Sequence, residues 1–399
     1  MKKVMLIHHS GLLGGAGISF LNLIKLLGSE EYNCQNFIPS DPCELKDFYA
    51  SNNVYPETFS YRLGKITYYS GGNSYINLKF YYHALRIFLH LPLWKRAIND
   101  FKPDLIIVNS IVIAWFSLIL NKISHPNIKS ICFVRETKRG SNFNPINLFL
   151  KLMLSRFSAV VFLSEFDKEA WSLANRAEVL RNYSDNDSLK ILNRNDSCQR
   201  LGIDSNSFNL VFVGGYNHLK GTLVAIKALD VIVNKHGHKN IKLIIAGNKP
   251  PKLSLMNLPH LFRVIYFWRV NWYIKKHNLY SNIFSIGVQS NINLLYSSSD
   301  LLISSMIKPH QARPLFEFGF HKKPAIISNF KNINEMVKNP AMKFKPKDHN
   351  DLALKIISLY KNEKLYRVAG DENYNNSLNF HTQQKYELKL RELLDQIFK

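Results

Sequence analysis

The segment Lys308-Pro309-His310-Gln311-Ala312-Arg313-Pro314-Leu315-Phe316-Glu317 combines residue types that suit a phosphorylated, hydroxyl-bearing ligand. Pro314 fits the first turn of a helix, where its missing N–H costs nothing. The free backbone N–H groups beside it, near Ala312, favour an anion. Arg313 adds fixed positive charge there, and Glu317, one turn on, offers two acceptors to a pair of hydroxyls. Phosphate at the helix start and a diol one turn along are what a nucleotide-linked ligand requires.

Three further segments hold candidate chemistry. Val211-Phe212-Val213-Gly214-Gly215-Tyr216-Asn217-His218-Leu219-Lys220-Gly221 reads as a strand, a glycine loop and a helix start. Lys220 would then sit at the carboxyl end of a sheet, where α/β proteins bind ligands and where an ammonium can neutralise a diphosphate. Ser10-Gly11-Leu12-Leu13-Gly14-Gly15-Ala16-Gly17 follows the first strand. Its glycines, Gly14, Gly15 and Gly17, let backbone approach a ligand. The spacing departs from the dinucleotide fingerprint, and no well-placed acidic residue follows to hold a ribose. Cys132-Phe133-Val134-Arg135-Glu136 ends a strand on a charged pair. His8 and His9 close the first strand as weaker candidates.

The elements that must position these residues are strands alternating with helices. Apolar runs at Val4–His8, Leu105–Val108, Ile131–Val134, Ala159–Leu163 and Glu178–Leu180 fall in the first half. Leu210–Val213, Lys242–Ala246, Ile283–Ile286, Leu301–Ser304 and Ala325–Ser328 fall in the second. Most are continuous rather than alternating, as in parallel strands covered on both faces. The fold class is therefore α/β. The polar stretch Ser184–Ser207 reads as a linker, placing domains at 1–195 and 196–380, with 381–399 as a terminal amphipathic helix. That helix carries Tyr386, Leu388, Leu390, Leu393, Leu394 and Phe398.

Four scattered cysteines show no metal spacing, so no metal site is expected and a reducing compartment is favoured. The amino terminus makes a poor signal peptide, and no apolar run is long enough for a membrane span. The net charge of +23 points to an anionic partner. Thr58–Asn99 and Val231–Ser299 contain no Asp or Glu, yet carry Lys and Arg mixed with aromatic residues. That mixture suits the interface of an anionic membrane. No RNA- or DNA-binding motif accompanies it, so nucleic acid is not an expected partner.

Taken in order, these pieces resemble the family 4-like glycosyltransferases of the GT-B type, over nearly the whole chain. Val213-Gly214 to Lys220-Gly221 matches the family's glycine loop with its Lys-Gly pair. Leu243-Ile244-Ile245-Ala246-Gly247 matches the next strand. Ser285-Ile286-Gly287, Tyr296, Asp300 and Leu301–Ser305 follow, then Glu317, Lys323-Pro324-Ala325-Ile326-Ile327-Ser328 and Asn334-Glu335-Met336-Val337. Pro309 stands where the family has the first of two paired glutamates, and Gly215 where a basic residue is common.

The resemblance implies two Rossmann-like domains facing a central cleft, an N-terminal acceptor-binding one and a C-terminal nucleotide-sugar-binding one, with the last helix returning towards the first. It implies a retaining, metal-independent transferase needing no cofactor beyond its donor substrate, a UDP- or GDP-sugar. Gly14, Gly15, Gly17, Gly214, Gly215, Lys220, Ala312, Arg313, Pro314 and Glu317 would bind the donor. Arg135 and Glu136 would meet the acceptor, and Glu136, Lys220 and Arg313 would act in catalysis. With the basic stretches it implies an enzyme at the inner face of a bacterial membrane, acting on a lipid-linked saccharide in O-antigen or capsule assembly. A nucleotide-sugar epimerase and a non-catalytic nucleotide-binding protein are the alternatives.

Overall fold

The computed structural model of the chain describes residues 1–28, 32–59, 64–68, 75–120, 127–141, 143–174, 176–184, 189–248, 261–289 and 291–399. They form two compact units, Met1–Tyr183 with Gln384–Lys399, and Ser184–Gln383.

The first unit is built on a seven-stranded sheet of β1 (Lys2–Ile7), β2 (Tyr32–Pro39), β3 (Glu57–Phe59), β4 (Leu105–Val108), β5 (Lys129–Val134), β6 (Ala159–Phe162) and β7 (Ala177–Val179). Their order is β3-β2-β1-β4-β5-β6-β7, and every pairing is parallel. Successive side chains leave on opposite faces. Val4 and Leu6 of β1, and Leu105 and Ile107 of β4, therefore join a core with Phe20, Leu390 and Leu393. Met5, Ile7, Ile106 and Val108 join another with Trp94, Trp115 and Phe116. Burial on both faces is why these strands read as unbroken apolar runs.

The second unit holds a six-stranded sheet of β8 (Phe208–Val213), β9 (Ile241–Ala246), β10 (Ile283–Gly287), β11 (Leu301–Ser304), β12 (Ala325–Ser328) and β13 (Lys343–Phe344). Their order is β10-β9-β8-β11-β12-β13, again all parallel. In each sheet the order reverses once, between β1 and β4 and between β8 and β11. At such a switch point the two flanking loops leave in opposite directions, opening a crevice at the carboxyl ends of the strands.

Three strands escape the sequence pattern. In β2, Asn33, Gln35 and Asn36 interrupt the apolar run, while β3 and β13 are very short edge strands. The chain enters the second unit after Tyr183 rather than near Asn195. The intervening polar segment is bonded into that unit: Leu192 N–H donates to Ser297 Oγ, and the Arg194 guanidinium grips Asp300 with two bonds of 2.8 and 2.9 Å. Asp300 also accepts from the Asn209 N–H at 2.7 Å, so its role is to fix the start of β8.

The last helix, Gln383–Phe398, buries Tyr386, Leu390, Leu393, Leu394 and Ile397, one stripe at helical spacing. Leu388 lies off that stripe and is exposed.

Candidate functional site

In the second unit the switch-point loops are locked together by glycine. Gly221 has φ +81°, and a Cβ there would stand 1.7 Å from the Ser305 carbonyl oxygen. Ser305 Oγ donates to the Gly221 carbonyl at 3.0 Å, and Ile307 N–H to that of Leu219 at 3.2 Å. Gly215, at φ +58°, closes against the Asn248 backbone, where a Cβ would meet oxygen at 2.4 Å. Asn217 Oδ1 accepts the Leu219 N–H, and Thr222 Oγ1 donates to the Gly215 carbonyl, fixing the intervening turn. Gly215 is thus buried in the turn, which explains why no basic side chain can stand there.

Lys220 emerges from this turn. Its stem lies across Gly214, where a Cβ would stand 3.0 Å from Lys220 Cβ and Cγ. Its ammonium has no hydrogen-bond or ion-pair partner among the described residues, and burial pushes its pKa down to about 8. A half-buried ammonium without a carboxylate is a charge waiting for an anion.

On the other side of the switch point is the helix Arg313–Gly319, with Ala312 buried at its cap and Pro314 in its first turn. Arg313 Nε donates to Glu317 Oε1 at 2.6 Å, and Tyr296 Oη donates to Glu317 Oε2 at 2.9 Å. The pair is largely buried, with side-chain exposures of 15% and 13%. Arg313 is therefore not the free cation expected from the sequence, since its charge is engaged by Glu317. Its Nη1 is buried without a partner, and each Glu317 oxygen keeps a lone pair. The Arg313–Glu317 spacing is that of a helical ion pair, a signal present in the sequence. Tyr296, fully buried, is the partner that sequence reasoning did not assign. The burial and the Glu317 carboxylate raise its pKa.

Lys323 has a structural task. Its ammonium donates to the carbonyls of Tyr296, Ser297 and Ser299, closing the end of helix Ile292–Ser297.

In the first unit the switch point is organised by Asn109, directly after β4. Its Nδ2 lies 3.0 Å from His8 Nδ1 and donates to the Ala16 carbonyl at 3.1 Å, and its Oδ1 accepts from Arg135 Nε at 2.8 Å. Arg135 also donates to Asn182 Oδ1 at 2.7 Å and is 7% exposed. The guanidinium expected at the acceptor is engaged inside the unit, because β5 delivers it beneath the loops rather than onto them. Glu136 accepts from Ser110 Oγ, the Ile111 N–H and the Arg135 N–H at 2.5, 3.2 and 3.0 Å. Burial raises its pKa, against the pull of those three donors. Asn109 gave no sequence signal beyond interrupting an apolar run.

The glycines of the first loop divide. Gly14 and Gly15 are exposed, with open space where a Cβ would stand, and Gly14 caps the helix Gly15–Leu27. Gly17 is buried, and a Cβ there would meet Leu45 Cδ1 at 2.5 Å. Its carbonyl accepts from Tyr49 Oη. Gly17 serves helix packing.

A cavity of about 310 Å³ opens at the carboxyl ends of β1 and β2, lined by His9, Ser10, Asp41, Lys65 and His83 among others. Burial, His8 and Lys65 hold His9 well below the ordinary imidazole range, as burial and Arg135 hold His8, at about 3. Both rings are neutral at physiological pH. Among the described residues no three His, Cys, Asp or Glu side chains cluster so as to hold a metal ion.

Two parallel-sheet units, each with a single reversal of strand order, define the doubly wound α/β proteins as a class. Comparison makes the class specific. Residues 193–376 match the family model of Glycosyl transferases group 1, so the second unit carries a group 1 glycosyltransferase domain. The whole chain superimposes on Anabaena Alr3699/HepE, solved in complex with UDP, at 17% identity and a TM-score of 0.75, over 99% of this chain and 100% of that one. It is similar to a glycosyltransferase from Rickettsia africae ESF-5 at 19% identity and 0.74, over 100% and 99%. It is also similar to sucrose-phosphate synthase from Thermosynechococcus elongatus at 15% and 0.74, over 100% and 99%. The fold is GT-B. No curated protein matches the chain in sequence.

Proposed function

We propose that the protein is a retaining, metal-independent glycosyltransferase that moves a sugar from a nucleotide-sugar donor to a hydroxyl of a lipid-linked saccharide in surface polysaccharide assembly. The observation that carries this reading is Lys220, a half-buried ammonium with no counter-ion among the described residues, set at the switch point of a group 1 domain. HepE, of the same fold, has been solved with UDP-glucose, which makes UDP-glucose the first donor to try.

The bond from the anomeric carbon to the diphosphate breaks and one to the acceptor oxygen forms on the same face. The acceptor's proton leaves with the nucleoside diphosphate. Preorganised positive charge at the departing diphosphate lowers that barrier, and Lys220 supplies it. Glu317, held by Arg313 and Tyr296, would receive the ribose diol on its remaining lone pairs. Gly214 would let the backbone approach the phosphates. On the acceptor side, the cavity beside His9 and Lys65 is a better receptor for a saccharide than Arg135, whose guanidinium is engaged.

Pro309, where the resemblance places a glutamate, favours a second reading in which the chain binds nucleotide without transfer. Incubation with radiolabelled UDP- and GDP-sugars and a membrane lipid extract separates the two. Donor-dependent label in the lipid fraction, lost in Lys220→Ala, supports transfer. Nucleotide binding with no labelled product supports the second reading.

A further inference from the structure

The helix Leu78–Phe101 has two apolar faces. One carries Phe80, Ile87, Trp94 and Ile98 into the core of the first unit. The other carries Leu78, Tyr82, Leu85, Phe88, Leu89 and Leu93, exposed at 84, 56, 65, 67, 71 and 47%. At 3.6 residues per turn these six fall within an arc of about 140°, opposite the buried set. A surface helix ordinarily turns a polar face to water, and an exposed apolar strip of this length marks an interaction surface.

The charges around the strip say what kind. Lys79 and Arg86 lie along one border and Lys95 along the other, with Arg96 at the far end beside its i+4 partner Asp100. Arg86 also donates to Tyr82 Oη at 2.9 Å, holding that ring at the margin. No Asp or Glu occurs from Thr58 to Asn99. Aromatic and aliphatic side chains bordered by cations suit the headgroup level of an anionic bilayer: the strip enters the acyl boundary while Lys and Arg stay with the phosphates. A second copy of the chain fits less well, because a two-fold pairing of this strip sets two cation-bordered surfaces against each other, with no Asp or Glu from Thr58 to Asn99 to offset them. The neighbouring helix Pro145–Leu154 adds exposed Leu148 and Leu152, and both helices pack on the short helix Ser117–Leu120. No helix among the described residues is long and apolar enough to cross a membrane.

We infer that the outward face of Leu78–Leu93 is a membrane-docking surface that inserts into the interface of an anionic bilayer. It deepens the proposed membrane setting, yet its test involves no donor or acceptor, so it can fail independently of the transferase reading. The test is co-sedimentation of the full chain with phosphatidylcholine vesicles, with and without about a third phosphatidylglycerol. Sedimentation velocity without lipid runs in parallel. Binding should be at least about tenfold tighter to the anionic vesicles. Leu85→Glu with Phe88→Glu should lower it by at least about tenfold, with thermal unfolding unchanged because both side chains already face water. Lys79→Glu should erase most of the preference for anionic lipid. Undiminished vesicle binding by the double variant would overturn the inference. So would a dimer in solution that the double variant dissociates while neither protein binds vesicles.

Discussion

Arg313 and Glu317 form a single contact on which stability and the proposed donor site both depend. Each neutralises the other in a largely buried place, and Tyr296 holds the second carboxylate oxygen. Removing one partner of a buried pair leaves an uncompensated charge and costs about 3 kcal/mol or more. Arg313→Ala should therefore destabilise the second unit by about that amount in urea unfolding. Arg313→Ala with Glu317→Ala should cost less than the sum of the single changes, by about 1–3 kcal/mol. Strict additivity would show that the pair does not act as a unit. His8 gives a pH signature. Its pKa is about 3 in the folded protein, from burial and Arg135, against about 6.5 unfolded. Between those values the unfolded chain holds a proton that folded His8 does not. Stability thus rises with pH there, and is lost on acidification from about 6.5 towards 3. At pH 5 this group alone should remove about 2 kcal/mol relative to neutral pH. His8→Gln should flatten that slope of the first unit's urea midpoint against pH.

At the scale of elements, the site is a product of parallel-sheet topology. β8 and β11 lie side by side but lead to opposite neighbours, and the loops after them meet at Gly221 and Ser305. A Cβ at Gly221 would drive into backbone that cannot yield. Gly221→Ala should lower the melting temperature of the second unit by several degrees and weaken nucleotide binding at least about tenfold. Gly14→Ala, with open space around it, should leave stability nearly unchanged. The strands buried on both faces were legible as unbroken Val, Ile and Leu runs, and so was the Lys220–Gly221 pair after a strand and glycines. β2 was not, because Asn33, Gln35 and Asn36 break its run. Asn109 was not, because its three partners lie far off in sequence and only the fold gathers them. The Arg313–Glu317 bond was available from its i, i+4 spacing. That it would neutralise the charge expected to meet phosphate required the helix to be seen.

Over the whole molecule, the same excess of positive charge does different work in different places. Within the net charge of +23 are an ammonium at the switch point of the second unit, without a partner among the described residues, and cations bordering an exposed apolar strip on the first. The sequence carried the basic, aromatic character of Thr58–Asn99. Only the structure shows that this stretch contains a helix with one face in the core and the other left in water. The proposed role of Lys220 is to receive the diphosphate of a nucleotide sugar. Thermal unfolding with a panel of UDP- and GDP-sugars, UDP-glucose first, tests it most directly. A donor present at about a hundred times its Kd adds about 2.7 kcal/mol to the state it binds, raising the melting temperature of a unit this size by about 5–10 °C. Lys220→Ala should weaken that donor by about 10- to 100-fold and remove most of the shift. No shift with any nucleotide sugar, or an equal shift in Lys220→Ala, would contradict it.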